Sequence, residues 1–103
     1  MVQKLPSKAI YSTLKEGRRI CFPLFVAHIN NRIDGIKYQI ITPFRCGNAV
    51  IRHRIKRRTK EAFVNNLRGQ NKTGELLIVA NKKILEAKSK DLSYVCSLLL
   101  NKL

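Results

Sequence analysis

The chain has 103 residues, 45 % of them hydrophobic, and sets 21 Lys and Arg against six Asp and Glu for a formal charge of +15. That length suits one domain, residues 1–103, with a modest core, and the apolar share excludes wholesale disorder. A cation surplus on this scale repels itself in the compact state and points to a polyanionic partner, nucleic acid or an anionic membrane surface.

Apolar runs such as Leu76–Ala80 and Leu98–Leu100 are far too short to span a bilayer. The N-terminal stretch lacks the apolar segment of a secretory signal, so a cytoplasmic location is expected. Cys21, Cys46 and Cys96 are odd in number and show no C-x-x-C spacing. Three reduced cysteines are therefore expected, with neither a disulfide framework nor a zinc site.

Taken in chain order, Pro6-Ser7 with Ile10 and Leu14 at four-residue spacing predicts a short helix, capped by Ser7 and ended by Gly17. Two β-rich stretches follow, Arg18–Phe22 and Leu24–Asn30, interrupted by Pro23, which suits an edge, bend or bulge. Ile33-Asp34-Gly35 is a turn signal, and Ile36–Thr42 is a strand that Pro43 ends.

The segment Asn48–Arg68 predicts a long helix, with Asn48 as N-cap and Gly69 as the residue just past its end. Ile51, Ile55, Thr59, Ala62, Phe63 and Asn66 share one side of it and face the core. Gln70–Gly74 is a polar loop. Glu75–Ala80 is apolar almost throughout, as a central strand covered on both sides would be. From Ser89 on, Leu92, Val95, Cys96, Leu99 and Leu103 form one stripe of a final helix, with Asp91 at its positive end. The order is α-β-β-β-α-β-α, an α+β fold with one mixed four-stranded sheet packed with three helices.

Between Arg52 and Lys60, six of nine residues are Lys or Arg. Such density on a helix cannot be buried, and a merely solvated face usually mixes both signs, whereas Glu61 is the only acid here. A face of this kind binds phosphates strongly and with a steep salt dependence. Arginine predominates, and its planar fork suits phosphate oxygens and base edges.

The wording of this helix, GNAVIRHRIKRRTKEAF from Gly47 to Phe63, resembles the signature helix of the bacterial ribonuclease P proteins, G-N-A-V-x-R-N-R-I-K-R-x-x-R-E-x-F. Gly47, Asn48, Ala49, Val50, Arg52, Arg54, Ile55, Lys56, Arg57, Glu61 and Phe63 match in register, and Lys60 replaces an arginine. LKEGRR at 14–19 resembles the family's F-K-x-G-x-R, PLFVAHI its following strand, and GELLIVANKK its D-x-V-V-I-A-R-K.

The resemblance implies a fold like the second domain of a small-subunit ribosomal protein, with a left-handed β-α-β crossover. It also implies the accessory protein subunit of an RNA-based endoribonuclease. The RNA subunit and its magnesium ions hydrolyse one phosphodiester bond to remove the 5′ leader of precursor tRNA. The protein, monomeric on its own and holding no tight cofactor, binds the catalytic RNA and the leader. Carried over by position, the RNA-binding residues are Arg45, Asn48, Arg52, His53, Arg54, Lys56, Arg57, Arg58 and Lys60. A leader cleft between first helix and sheet would take Leu14, Arg18, His28, Tyr38 and Phe44; the family often places aromatics at the positions of Ile10, Leu14 and His28, where they can stack on nucleotides.

Three positions depart from the family pattern. Pro43-Phe44 replaces a small-polar and lysine pair, His53 replaces an asparagine, and Gln39 stands where a strand glycine is usual. The alternative within the binding class is a ribosomal or general structured-RNA-binding protein without a role in cleavage. An autonomous nuclease fits poorly, because a two-metal site needs clustered carboxylates whereas Glu16, Asp34, Glu61, Glu75, Glu86 and Asp91 are scattered singly.

Overall fold

The computed structural model describes residues 2–4, 17–30, 36–67 and 72–102. The expected first helix with Ser7, Ile10 and Leu14, the turn at Ile33-Asp34-Gly35, and Gly69 lie outside the described residues.

The strands are β1 (Val2–Lys4), β2 (Arg18–Cys21), β3 (Phe25–Asn30), β4 (Ile36–Ile41) and β5 (Gly74–Ala80), and the helices are α1 (Ala49–Leu67) and α2 (Ser89–Leu100). Short 3₁₀ turns at Phe44–Cys46 and Lys82–Leu85 join them. The apolar run in the second half of the chain is the centre of the sheet, whose order is β1-β4-β5-β3-β2. Six of the seven β5 residues are buried, which is why that strand lacks a polar alternation. β4 and β5 are parallel neighbours joined through α1, while β3 lies antiparallel to β5 and β2 antiparallel to β3. The α+β class and the mixed sheet are as expected; the sheet gains a fifth strand, because β1 pairs in parallel with β4 from Val2↔Ile36 to Lys4↔Tyr38.

In-register partners on neighbouring strands share a sheet face. Ala27↔Ile78↔Ile40 and Ile29↔Leu76↔Tyr38 thus face one way, towards the helices. There Phe25, Ala27, Ile29, Leu76 and Ile78 join Ile55, Phe63, Leu92, Cys96 and Leu99 in one core. The Phe25 and Phe63 rings meet edge-on with centroids 5.6 Å apart, a geometry that the ring quadrupoles favour. The other face carries His28↔Leu77↔Gln39 and Val26↔Val79↔Ile41. Leu77 is fully buried there, outside the helix-side core.

The long helix starts where its cap predicts. Asn48 Oδ1 accepts the Ile51 N–H at 3.0 Å, satisfying one of the unpaired donors of the first turn. Gly47 just before it has φ 139° and ψ −164°, a region essentially reserved for glycine. A Cβ there would also stand 3.0 Å from Ile51 Cδ1. Ile55, Thr59, Phe63 and Leu67 are the buried stripe of α1, and Thr59 donates its hydroxyl back to the Ile55 carbonyl at 2.7 Å. Asn66 belongs to the α2 contact, its Nδ2 donating to Ser93 Oγ at 3.0 Å.

Candidate nucleic-acid interface

With its apolar stripe fixed on the sheet, α1 distributes its charge over three flanks. Towards β4, Arg52, Lys56 and Lys60 repeat at four-residue spacing. Lys56 and Lys60 border a hollow of about 200 Å³ with Tyr38, Gln39 and Ile40. Arg52, His53 and Lys56 border a second of about 170 Å³ with Ile40 and Thr42. On the outward flank His53, Arg54 and Arg57 line a shallow depression with Ala49 and Val50. Among the described residues lining these three hollows there is no carboxylate. A cation field without internal ion pairs leaves its charge available to phosphates.

The third flank differs. Arg58 turns towards the connection to α2, where Nη1 donates to the Ile84 carbonyl and Nη2 to the Ala87 carbonyl at 2.6 Å. Those donors close the end of the Lys82–Leu85 turn onto α1. Glu61 lies on this flank as well, beside Asn65, Ser89 and Lys90. The cations expected to meet RNA thus separate into an outward-facing set and one, Arg58, whose guanidinium is engaged with the fold. Asn48 likewise spends its side-chain oxygen on the helix cap. Arg45 is exposed in the 3₁₀ turn ahead of α1.

The residues expected to form a second, leader-holding cleft are not on one face. His28 is on the sheet face turned away from α1, next to Arg19 and Leu77 in register. Its pKa is lowered, first by burial and then by the Arg19 charge, so the neutral imidazole is favoured, and Nδ1 is buried without a hydrogen-bond partner. Tyr38 is on the opposite face, packed against the core and bordering the Lys56–Lys60 hollow. Arg18, in register with Ile29, also belongs to the helix side, and its Nη2 donates to the Lys102 carbonyl at 3.1 Å beyond the end of α2. Phe44 stands in the 3₁₀ turn before α1. Leu14 lies outside the described residues.

Two features of the interface carry no signal in the sequence pattern. Thr42, just past β4, lines the same hollow as Arg52. Phe44 lies under the Arg52 guanidinium, 4.4 Å from carbon to ring centroid, within the range of a cation–π contact.

The family model described as Ribonuclease P matches residues 3–103. The chain belongs to the ribonuclease P protein family. Solved ribonuclease P proteins share its fold. That of Thermotoga maritima is 21 % identical and superposes with a TM-score of 0.82 over 97 % of this chain and 96 % of its own. A Staphylococcus aureus ribonuclease P protein structure is 20 % identical with a TM-score of 0.78, covering 96 % of this chain and 92 % of its own. A comparison with curated protein sequences gives no match.

As a ribonuclease P protein, the chain is the protein subunit of that endoribonuclease of tRNA processing, and the ribonuclease P RNA is its partner. The residues of the family motif differ in what they touch. Gly47 and Asn48 shape the start of α1, Ile55 and Phe63 seat it on the sheet, and Arg52, Arg54, Lys56 and Arg57 project from its unburied circumference.

Proposed function

We propose that the chain docks on the ribonuclease P RNA through the β4-side and outward flanks of α1, together with Arg45, and that the RNA carries out the phosphodiester hydrolysis. The observation that carries this reading is the carboxylate-free run of Arg52, His53, Arg54, Lys56, Arg57 and Lys60 around a helix whose remaining side is seated in the core. Each phosphate it neutralises releases counterions, so affinity falls steeply with salt. The protein's own residues contribute position and charge, not acid–base chemistry. His28 and His53 belong to different elements, one on the sheet face turned away from the helix that carries the other.

The complex takes precursor tRNA, and the protein holds the 5′ leader while the RNA cleaves. His28, half-buried on the sheet face turned away from α1, is the described residue assigned to the leader side. Magnesium is assigned to the RNA subunit. Among the described residues no three His, Cys, Asp or Glu side chains cluster. A cytoplasmic location, a single domain and a monomeric free state complete the reading.

The leader contact is tested by the affinity of the assembled protein–RNA complex for precursor tRNA and for mature tRNA, each compared with the RNA subunit alone. The protein should raise affinity for the precursor selectively. An equal gain for both tRNAs would remove the leader contact from the account.

A further inference from the structure

Phe44 is 84 % exposed, the most open of the large hydrophobic residues described. A single exposed phenylalanine is ordinary, but the backbone around this one is fixed. The Cys46 N–H donates to the Pro43 carbonyl at 3.0 Å and the Gly47 N–H to the Phe44 carbonyl at 3.1 Å. Cys46 itself is buried, its thiol 3.8 Å from the Ala80 carbonyl, which pins the turn to the end of β5. The ring therefore projects from an anchored turn, with the Arg52 guanidinium on one face and the rest of its surface open.

Arg52 continues from the ring into the hollow of about 170 Å³ that it shares with Ile40, Thr42, His53 and Lys56. Two polar atoms there are buried and unpartnered, Arg52 Nε and Thr42 Oγ1. Nε–H is an obligatory donor and the hydroxyl can donate as well, so each carries the cost of an unmade hydrogen bond. A turn of these two side chains would bring both atoms to an anion in the hollow, with Lys56 adding a full charge. An aromatic face beside such a hollow, linked by one guanidinium, lies within the span of a single nucleotide.

We propose that Phe44 and the Thr42–Arg52–Lys56 hollow form a one-nucleotide pocket, in which an unpaired ribonucleotide stacks its base on Phe44 and seats a phosphate on Arg52 Nε and Thr42 Oγ1. The inference rests on the RNA-binding reading above and deepens it. An unpaired nucleotide is required because bases in a duplex have both faces covered by their neighbours. The nucleotide belongs either to an unpaired stretch of the ribonuclease P RNA or to the precursor's leader.

The chain contains no tryptophan, so Phe44→Trp places its one selectively excitable indole at the pocket. A short single-stranded oligoadenylate should quench it, whereas an RNA duplex of equal length should bind without comparable quenching. Phe44→Leu should weaken oligoadenylate binding by about tenfold with the salt slope unchanged, and Phe44→Tyr should restore it. Arg52→Lys, which keeps the charge and loses Nε, should weaken binding in both the Phe44 and the Phe44→Leu background.

Equal affinity of Phe44→Leu and the native chain would overturn the pocket. So would equal quenching by duplex, or a blue shift with phosphatidylglycerol vesicles in place of quenching by RNA. Loss of affinity for the isolated ribonuclease P RNA would assign the nucleotide to that RNA, and loss only for leader-bearing precursor would assign it to the leader. Failure of the underlying reading is seen separately, as absence of binding between the native chain and the ribonuclease P RNA.

Discussion

Replacing Arg58 by alanine separates the architectural cation of α1 from its RNA-facing neighbours. The substitution removes two charge-assisted hydrogen bonds, to the Ile84 and Ala87 carbonyls, and leaves those acceptors to water at a part-buried joint. Hydrogen bonds to charged groups contribute about 1.5–3 kcal/mol each when removed. Here both bonds share one side chain and are partly solvated, so the lower end applies once and the second bond adds less, about 2 kcal/mol in all. For a domain of this size that is a fall in melting temperature of roughly 10 °C, measured by thermal melting followed by circular dichroism. Affinity for the ribonuclease P RNA, compared below both melting ranges, should lose far less than in Arg54→Ala or Arg57→Ala, and the salt slope should stay at its native value. An unshifted melt combined with a lower salt slope would refute the assignment and make Arg58 a phosphate contact.

Gly47→Ala forces a side chain into a glycine-only backbone region and against Ile51; it should cost about 1–3 kcal/mol in urea unfolding, and a native midpoint would show that the turn relaxes freely. Because the folded state favours neutral His28, stability should be flat above the ordinary histidine pKa. It should fall as pH drops through that value, where the unfolded chain takes up the proton first, and level off below the folded pKa. Urea unfolding of the native chain and His28→Phe between about pH 7.5 and pH 5 tests this, and an equal slope in both would assign the effect elsewhere. Burial pushes the Cys96 thiol up to about 12, and Cys46 is also buried while Cys21 is exposed; a thiol reagent on the native protein should therefore label Cys21 rapidly and the other two only on unfolding.

Much of this was legible in the residues themselves. The charge density from Arg52 to Lys60 demands an unburied helix face, and the apolar spacing of Ile55, Thr59 and Phe63 says which side is seated. Both are one-dimensional patterns and survive into the fold. Strand β1 was invisible because Val2-Gln3-Lys4 is too short to show a period, and its pairing with β4 rests on backbone hydrogen bonds. The scatter of the expected cleft residues has a similar cause. Tyr38 and His28 lie on strands whose relative register is set only by pairing through β5, and that register puts them on opposite faces. Arg57 and Arg58 are chemically identical neighbours, told apart only by the docking of the Lys82–Leu85 turn against α1.

The most direct test is cleavage of precursor tRNA by the protein alone, by the ribonuclease P RNA from the same source alone at limiting magnesium, and by the two together. The account predicts no leader release from the protein alone and faster release from the pair than from the RNA. Leader removal by the protein without any RNA, or a pair no faster than the RNA alone, would contradict it.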